Sequence, residues 1–239
     1  MIIEGRNAVR EAIRSNQTIE KIMFAKDNKS SAIFDLMKEC KNKKIIFQNV
    51  ESTVLDKYSP SKHHQGVIAF CTDYKYFELS DILENKNGDY HFIVILDGIE
   101  DPHNLGAIIR TCECAKVDGI IIPKRHSCGV TDTAVKVSVG ASSYVKVCKV
   151  GNINDAIREL KELDIFVFAA DMDGESIYKT DLTGDIAIVI GGEGAGVHDL
   201  TRKLCDGIVS LPQLGNINSL NASVACGITI YEALRQRLK

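Results

Sequence analysis

The segment Leu96–Arg110, LDGIEDPHNLGAIIR, decides the fold. It begins at the end of an apolar run, Phe92–Leu96, and crosses a loop of Asp, Pro and Asn. A helical pattern over Asn104–Val117 follows. A buried strand feeding a helix through a short polar loop is the building unit of an α/β sheet. Asp101 before Pro102, or alternatively Asn104, can cap that helix, whose first backbone N–H groups would face a ligand. Gly106 sits four residues before Arg110 on the same helix face, which leaves open space below a guanidinium. An Arg flanked by Ala107, Ile108 and Ile109 calls for a partner.

The same unit recurs downstream. Strand-like runs fall at Phe92–Asp97, Gly119–Ile122, Tyr144–Cys148, Ile165–Ala170, Asp185–Ile190 and Gly207–Leu211, and helical patterns at Asp132–Ala141, Ile153–Leu163, Val197–Cys205 and Ala222–Leu238. The strands are continuous apolar runs, so the expectation is a parallel sheet with helices on both faces. Upstream, helical spacing in residues 4–16, 30–43 and 50–58 alternates with strands at 19–25, 44–48 and 66–72, a compact α/β unit. The expected division is a first domain at 1–73, a polar linker at 74–90 with a short helical turn at Leu79–Leu83, and a second domain at 91–239.

Charge separates the two parts. The chain carries −3 overall, but residues 1–75 hold 13 Lys and Arg against 9 Asp and Glu, a net of +4, and the remainder carries −7. A basic first domain on an acidic body suggests that the first domain meets a polyanion. The eight cysteines include no CxxC pair, which argues against zinc and thiol–disulfide chemistry and reads as buried, reduced cysteines; no metal is expected. No apolar run approaches the ~20 residues of a membrane span, and MIIEGRNAVREAI is not a secretory leader, so the expected location is the cytoplasm.

Two further loops carry chemistry. Ile190–Val197, IGGEGAGV, packs four glycines into six positions, permitting close approach to the backbone. It is not a dinucleotide loop, because Val197 stands where GxGxxG needs a third glycine, and no GK[ST] follows. Glu193 would repel a phosphate and suits a neutral or cationic ligand. Leu211–Ala225, LPQLGNINSLNASVA, is a strand–loop–helix in which Ser219 or Asn221 can cap the last helix.

DPHNLGAIIR, GGEGAGV and NSLNASVA, in this order and with SVGASSYV at 138–145 as a weaker fourth piece, resemble the signature of the SpoU/TrmH branch of the SPOUT methyltransferases. GRNAVREAI at 5–13 and HQGVIAF at 64–70 resemble the RNA-recognition domain of members that act on ribosomal RNA, so the likeness spans essentially the whole chain. The resemblance implies a small N-terminal α/β RNA-recognition domain and a C-terminal SPOUT domain tied in a deep trefoil knot, although knots are otherwise nearly absent from proteins. It implies a homodimer with the active site near the subunit interface. S-adenosyl-L-methionine is the implied cofactor, held by Gly191, Gly192, Gly196, Leu211 and Leu220. The catalytic motif falls on Asn104, Arg110, Glu193, Ser219 and Asn221, with Ala222 replacing a usual β-branched residue.

The implied reaction is attack of a ribose 2′-oxygen on the sulfonium methyl. A guanidinium is effectively always protonated, so Arg110 is expected to stabilise developing charge on oxygen, with Asn104 and Asn221 orienting it or the ribose. Glu193 either pairs with Arg110 or holds its own loop. Contact with RNA is expected at Arg6 and Arg10 and at the loop Lys62, His63, His64 and Gln65. The expected substrate is a guanosine of large-subunit (23S) ribosomal RNA. The alternatives are transfer RNA and a non-catalytic RNA-binding role in ribosome assembly; the latter should have lost Arg110 or Asn104, and both are present.

Overall fold

A computed structural model describes residues 1–15, 18–28, 30–59, 62–84, 86–194, 196–216 and 219–238. Ala195, Ile217 and Asn218, in the two glycine- and asparagine-rich loops, lie outside the described residues. The chain forms two compact units, Met1–Lys75 and Tyr76–Lys239.

The first unit runs β1 (Ile2–Glu4), α1 (Arg6–Arg14), β2 (Thr18–Ala25), α2 (Ser31–Asn42), β3 (Phe47–Val50), α3 (Ser52–Tyr58) and β4 (Val67–Thr72). Its sheet has the order β1-β4-β2-β3, with β2 parallel to β3 and antiparallel to β4. The first strand is absent from the apolar pattern because it is three residues long, and it pairs antiparallel with β4. Val9, Ala12 and Ile13 of α1 and Ile33, Leu36 and Cys40 of α2 pack with Ile22, Phe24, Val67 and Ala69 of the sheet. Helical spacing thus places one face of each helix on the core.

The second unit continues with α4 (Leu79–Leu83), β5 (Phe92–Asp97), α5 (Pro102–Cys114), β6 (Gly119–Pro123), α6 (Asp132–Val137), β7 (Lys146–Val150), α7 (Ile153–Glu162), β8 (Phe166–Ser176), β9 (Ile186–Gly191), α8 (Asp199–Leu204), β10 (Gly207–Ser210) and α9 (Ala222–Arg237). All six strands are parallel, in the order β10-β8-β9-β5-β6-β7. Alternate strand residues Ile93, Ile95, Ile121, Val167, Ala187 and Val189 share a core with Ile157 and Leu160 of α7. The intervening strand residues, Val94, Ile120 and Ile188 among them, are equally buried. Both faces are therefore covered, as unbroken apolar strands require.

Two readings of the sequence change. The stretch 74–90 is not a free tether throughout: Leu79 and Ile82 of α4 are buried in the core of the second unit, and Phe77 bridges to Cys148. The helical turn expected at Leu79–Leu83 is present, and its two buried apolar residues do the packing. The open space expected beside Gly106 is filled by α6, since a Cβ there would lie 2.7 Å from the Ala134 carbonyl oxygen and 2.7 Å from the Val137 Cβ. That glycine lets two helices cross closely.

The C-terminus is anchored by Arg237. Its guanidinium lies 4.6 Å from the Phe92 ring centroid and donates to the carbonyls of Leu182, His91 and Gly184. Five of the eight cysteines (Cys40, Cys71, Cys112, Cys148 and Cys226) are buried, and only Cys114 is exposed. Burial pushes the Cys226 thiol up to about 12, so it stays neutral in the core. Among the described residues no helix is long and apolar enough to cross a membrane, and no group of three or more His, Cys, Asp or Glu could hold a metal ion.

Candidate active site

Strand order sets the place of the site. From β5 the chain moves outward through β6 to β7, whereas β9 and β8 lie on its other side. The carboxyl ends of β5 and β9 therefore form a topological switch point, where the diverging loops leave a crevice. A cavity of about 390 Å³ lies there, lined by residues 97–101 after β5, Asn104 of α5, His126 after β6, and Gly192, Glu193, Gly196 and His198 after β9.

The capping question resolves in favour of Asp101. Its carboxylate accepts the His103 N–H at 2.8 Å, with Pro102 at the first helical position. Asn104 is thereby released from capping. Buried at 6% exposure, it donates from Nδ2 to Glu193 Oε1 at 2.8 Å. Asn221, not Ser219, caps α9: its Oδ1 accepts the Ser223 N–H at 2.9 Å. That bond orients the Asn221 amide, whose Nδ2 donates to Asn104 Oδ1 at 3.0 Å and to Glu193 Oε1 at 3.2 Å. Three loops far apart in sequence are thus joined by one carboxylate and two amides, each using a donor or acceptor the others lack.

Glycine makes this geometry possible. A Cβ on Gly192 would lie 2.1 Å from the Gly98 carbonyl oxygen, and one on Gly191 would lie 2.1 Å from the Gly196 carbonyl carbon. Close approach was expected from a ligand, but at Gly191 and Gly192 it is the chain's own backbone that approaches. Gly192 N–H donates to the Asp97 carbonyl at 2.8 Å, and Gly196 N–H closes back onto the Gly192 carbonyl at 3.2 Å.

Arg110 lies elsewhere. It is exposed, does not line the cavity, and makes no hydrogen bond or ion pair with the described residues. The expected Glu193–Arg110 pair is absent because the two amides occupy Glu193. Helical spacing puts Arg110 on the outward face with exposed His103 and Cys114, while Ile108, Ile109 and Cys112 face the core. Ser219 is exposed, Leu211 half-buried, and Leu220 exposed at 42%.

In the first unit, two separately expected contact segments meet. Gln65 Oε1 accepts the Arg6 N–H at 3.2 Å, and Gly5 at the start of α1 lies against Gln65 and the His63 carbonyl. Lys62 and Gln65 both have left-handed backbone, with φ of 58° and 52°. His64 is 9% exposed and occupied at both ring nitrogens, facing Asp56 at 3.1 Å and accepting the Gly66 N–H at 3.0 Å, so it shapes this loop. Arg10 faces Glu39 of α2 at 3.4 Å.

The donor set of the cavity speaks to ligand charge. Carboxylates of Asp97, Glu100, Asp101 and Glu193 line it together with backbone at Gly192 and Gly196, and neither Lys nor Arg does among the described residues. Such a wall repels phosphates and suits a cation. Residues 91–231 match the SpoU rRNA methylase family, and residues 2–77 match the RNA 2′-O-ribose methyltransferase substrate-binding domain.

The chain belongs to the SpoU methylase family.

The family places the three loops joined by Glu193 in a methyltransferase, and by family the chain is an RNA 2′-O-ribose methyltransferase. A TrmH family tRNA/rRNA methyltransferase of Staphylococcus haemolyticus is 41% identical, the alignment covering 99% of this chain and 96% of that one. The same fold occurs in the SpoU methyltransferase AviRb from Streptomyces viridochromogenes, solved in complex with AdoMet (TM-score 0.64, 22% identity, 100% of this chain and 90% of that chain). It also occurs in an AdoMet-bound rRNA methyltransferase from Sinorhizobium meliloti (TM-score 0.63, 22% identity, 100% and 88%).

Two residues of the cavity escaped the sequence reading. Asp97 and His198 stand 101 positions apart, and their side chains meet at 2.9 Å. Asp97 read only as the end of a strand and His198 only as part of the helical pattern Val197–Cys205, whereas it stands at the N-cap of α8. The available signal was a carboxylate ending an unbroken apolar strand, where a charge needs a partner.

Proposed function

We propose that this SpoU methylase transfers a methyl group from S-adenosyl-L-methionine to the 2′-hydroxyl of a guanosine in large-subunit (23S) ribosomal RNA. The observation that carries the reading is the Asn104–Glu193–Asn221 lock, which fastens the three sequence segments of the family signature around one acidic cavity. When bound, the cofactor supplies a methyl already activated by positive sulfur, and no metal is needed for that step. Gly191, Gly192 and Gly196 would hold it with Leu211 and Leu220. Glu193 and the neighbouring carboxylates favour its charge. Asn104, Asn221 and Ser219 position the ribose, and Arg110 stabilises the developing charge on the attacking oxygen.

The first unit, with its net positive charge, holds the RNA. Arg6, Lys62, His63 and Gln65 gather at one place on it, His64 braces that loop, and Arg10 sits beside it on α1. Ribosomal RNA is favoured over transfer RNA because residues 2–77 carry the substrate-binding domain and the catalytic part matches the rRNA methylase family.

The enzyme acts as a homodimer in the cytoplasm. Val224, Ile228 and Tyr231 form an exposed apolar stripe along α9 at helical spacing, the kind of face that a second copy covers. Dimerisation also gives the outward Arg110 a second surface on which to act. The loops Ile190–Val197 and Leu211–Ala222 are the ones the family resemblance ties into a trefoil knot.

Tritium transfer from labelled S-adenosylmethionine into total RNA from a strain lacking this gene tests the reading. Counts in large ribosomal RNA are expected, with Arg110→Ala lowering the rate ~10²–10³-fold. Counts confined to transfer RNA would overturn the substrate. No transfer into naked RNA or ribosomal particles, despite bound S-adenosylhomocysteine, would favour the assembly-factor role.

A further inference from the structure

Methyl transfer to a ribose hydroxyl needs an acceptor for the hydroxyl proton. Arg110 cannot serve, because a guanidinium remains protonated. Glu193 is engaged, its Oε1 accepting from both Asn104 and Asn221. Asp101 holds the first turn of α5. Of the two histidines that line the cavity, one is held by a carboxylate through one ring nitrogen while its other ring nitrogen makes no hydrogen bond with the described residues.

That group is His198. Asp97, 6% exposed at the end of β5, holds it twice: Oδ2 accepts the His198 backbone N–H at 2.9 Å, and Oδ1 lies 2.9 Å from ring Nδ1. A carboxylate against Nδ1 keeps the proton there and leaves the lone pair on Nε2. Nε2 makes no hydrogen bond with the described residues, and the ring lines the same cavity as Asn104, Glu193, Gly192 and Gly196. Gly98, whose φ of +86° favours glycine, lies beside the ring, and even a Cβ there would be in ordinary contact, 3.5 Å from His198 Cε1. Although His198 stands at the N-cap of α8, its side chain caps nothing. The ring is therefore fixed by Asp97 for some other purpose.

We infer that the Asp97–His198 pair is the general base of the reaction, with His198 Nε2 receiving the 2′-hydroxyl proton. The inference rests on the methyltransferase reading above. The ribose O–H bond breaks and its proton passes to Nε2. The oxygen pair forms the new O–CH₃ bond. The S–CH₃ bond breaks with its electrons returning to sulfur, which becomes a neutral thioether. The imidazolium left behind is balanced by Asp97. The other charged or titratable groups facing the ring's surroundings are Glu100, Asp101, Glu193 and His126 across the cavity and Asp199 next along α8.

The test uses the full chain with the RNA that the wild type labels, comparing His198→Gln, His198→Ala and Asp97→Asn. A base must be neutral to accept a proton, so wild-type kcat should show a limb that falls as the pH is lowered. His198→Gln should lower kcat by ~10²–10⁴-fold and erase that limb. Its affinity for S-adenosylhomocysteine by calorimetry and its melting temperature should match the wild type. Added imidazole should restore part of the activity of His198→Ala. Asp97→Asn should lower kcat by favouring the wrong tautomer. Wild-type kcat and pH profile in His198→Gln would overturn the inference while leaving the methyltransferase reading intact. Loss of kcat together with S-adenosylhomocysteine affinity, with no imidazole rescue, would overturn it in favour of a structural role. A wild type that transfers no methyl group to any RNA would remove both.

Discussion

The loop after β9 and the loop after β10 both follow a strand of the sheet and both read as carriers of chemistry, yet they are held in opposite ways. Gly191–Val197 is fastened along its length: Gly192 pairs with Gly196, its N–H bonds to Asp97, and Glu193 holds two amides. Leu211–Asn216 is nearly bare, with Leu214 fully exposed, and the loop is secured at its far end by Asn221. The glycines of the first loop serve internal packing, whereas the second loop leaves the chain open to whatever binds. One half of the site is therefore fastened by the chain's own bonds, and the other is left open.

The strongest way to break this contrast is Gly192→Ala. Its methyl would overlap the Gly98 carbonyl, and overpacking against backbone should cost ~3 kcal/mol or more, read as a lower melting temperature and lost S-adenosylhomocysteine binding. Wild-type stability would mean that the loop is not packed on β5. Glu193→Ala comes next. It strands the buried Asn104 amide and should cost ~1–3 kcal/mol in denaturant unfolding, with a fall in kcat.

Asn221 separates two functions in one side chain. Asn221→Ala should cost ~1 kcal/mol through the lost helix cap. Asn221→Asp should keep the cap and so most of the stability, yet lose activity, because it removes the donor and sets a second carboxylate beside Glu193. Equal activity in wild type and Asn221→Asp would dissolve the lock. At the bottom of the scale, Leu214→Ala should change stability by less than ~0.5 kcal/mol. Hydrogen exchange sharpens the same point: S-adenosylhomocysteine should protect residues 211–216 more than residues 190–194.

Periodicity carried most of the architecture. Unbroken apolar strands such as Phe92–Asp97 imply a sheet covered on both faces, and that is the sheet observed. β1 escaped because three residues show no period; the turn Leu79–Leu83 was legible, but not its burial, because Leu79 and Ile82 are two apolar residues in a polar stretch. The site was legible as a set of segments but not as a set of contacts. Asn104, Glu193 and Asn221 were recognised one by one, whereas their mutual bonds depend on Asp101 taking over the cap. Arg110 was read as a buried residue needing a partner, since apolar neighbours in sequence stood in for neighbours in space; a helix turns 100° per residue, and the same neighbours face the other way. The Asp97–His198 contact spans 101 positions and has no local signal.

The central claim is that the methyl group ends on a ribose oxygen. Alkaline cleavage of RNA requires a free 2′-hydroxyl, so labelled RNA should be hydrolysed in alkali and its products separated by size. The account predicts the label in alkali-resistant dinucleotides from large ribosomal RNA. Label in mononucleotides would place the methyl on a base and contradict it.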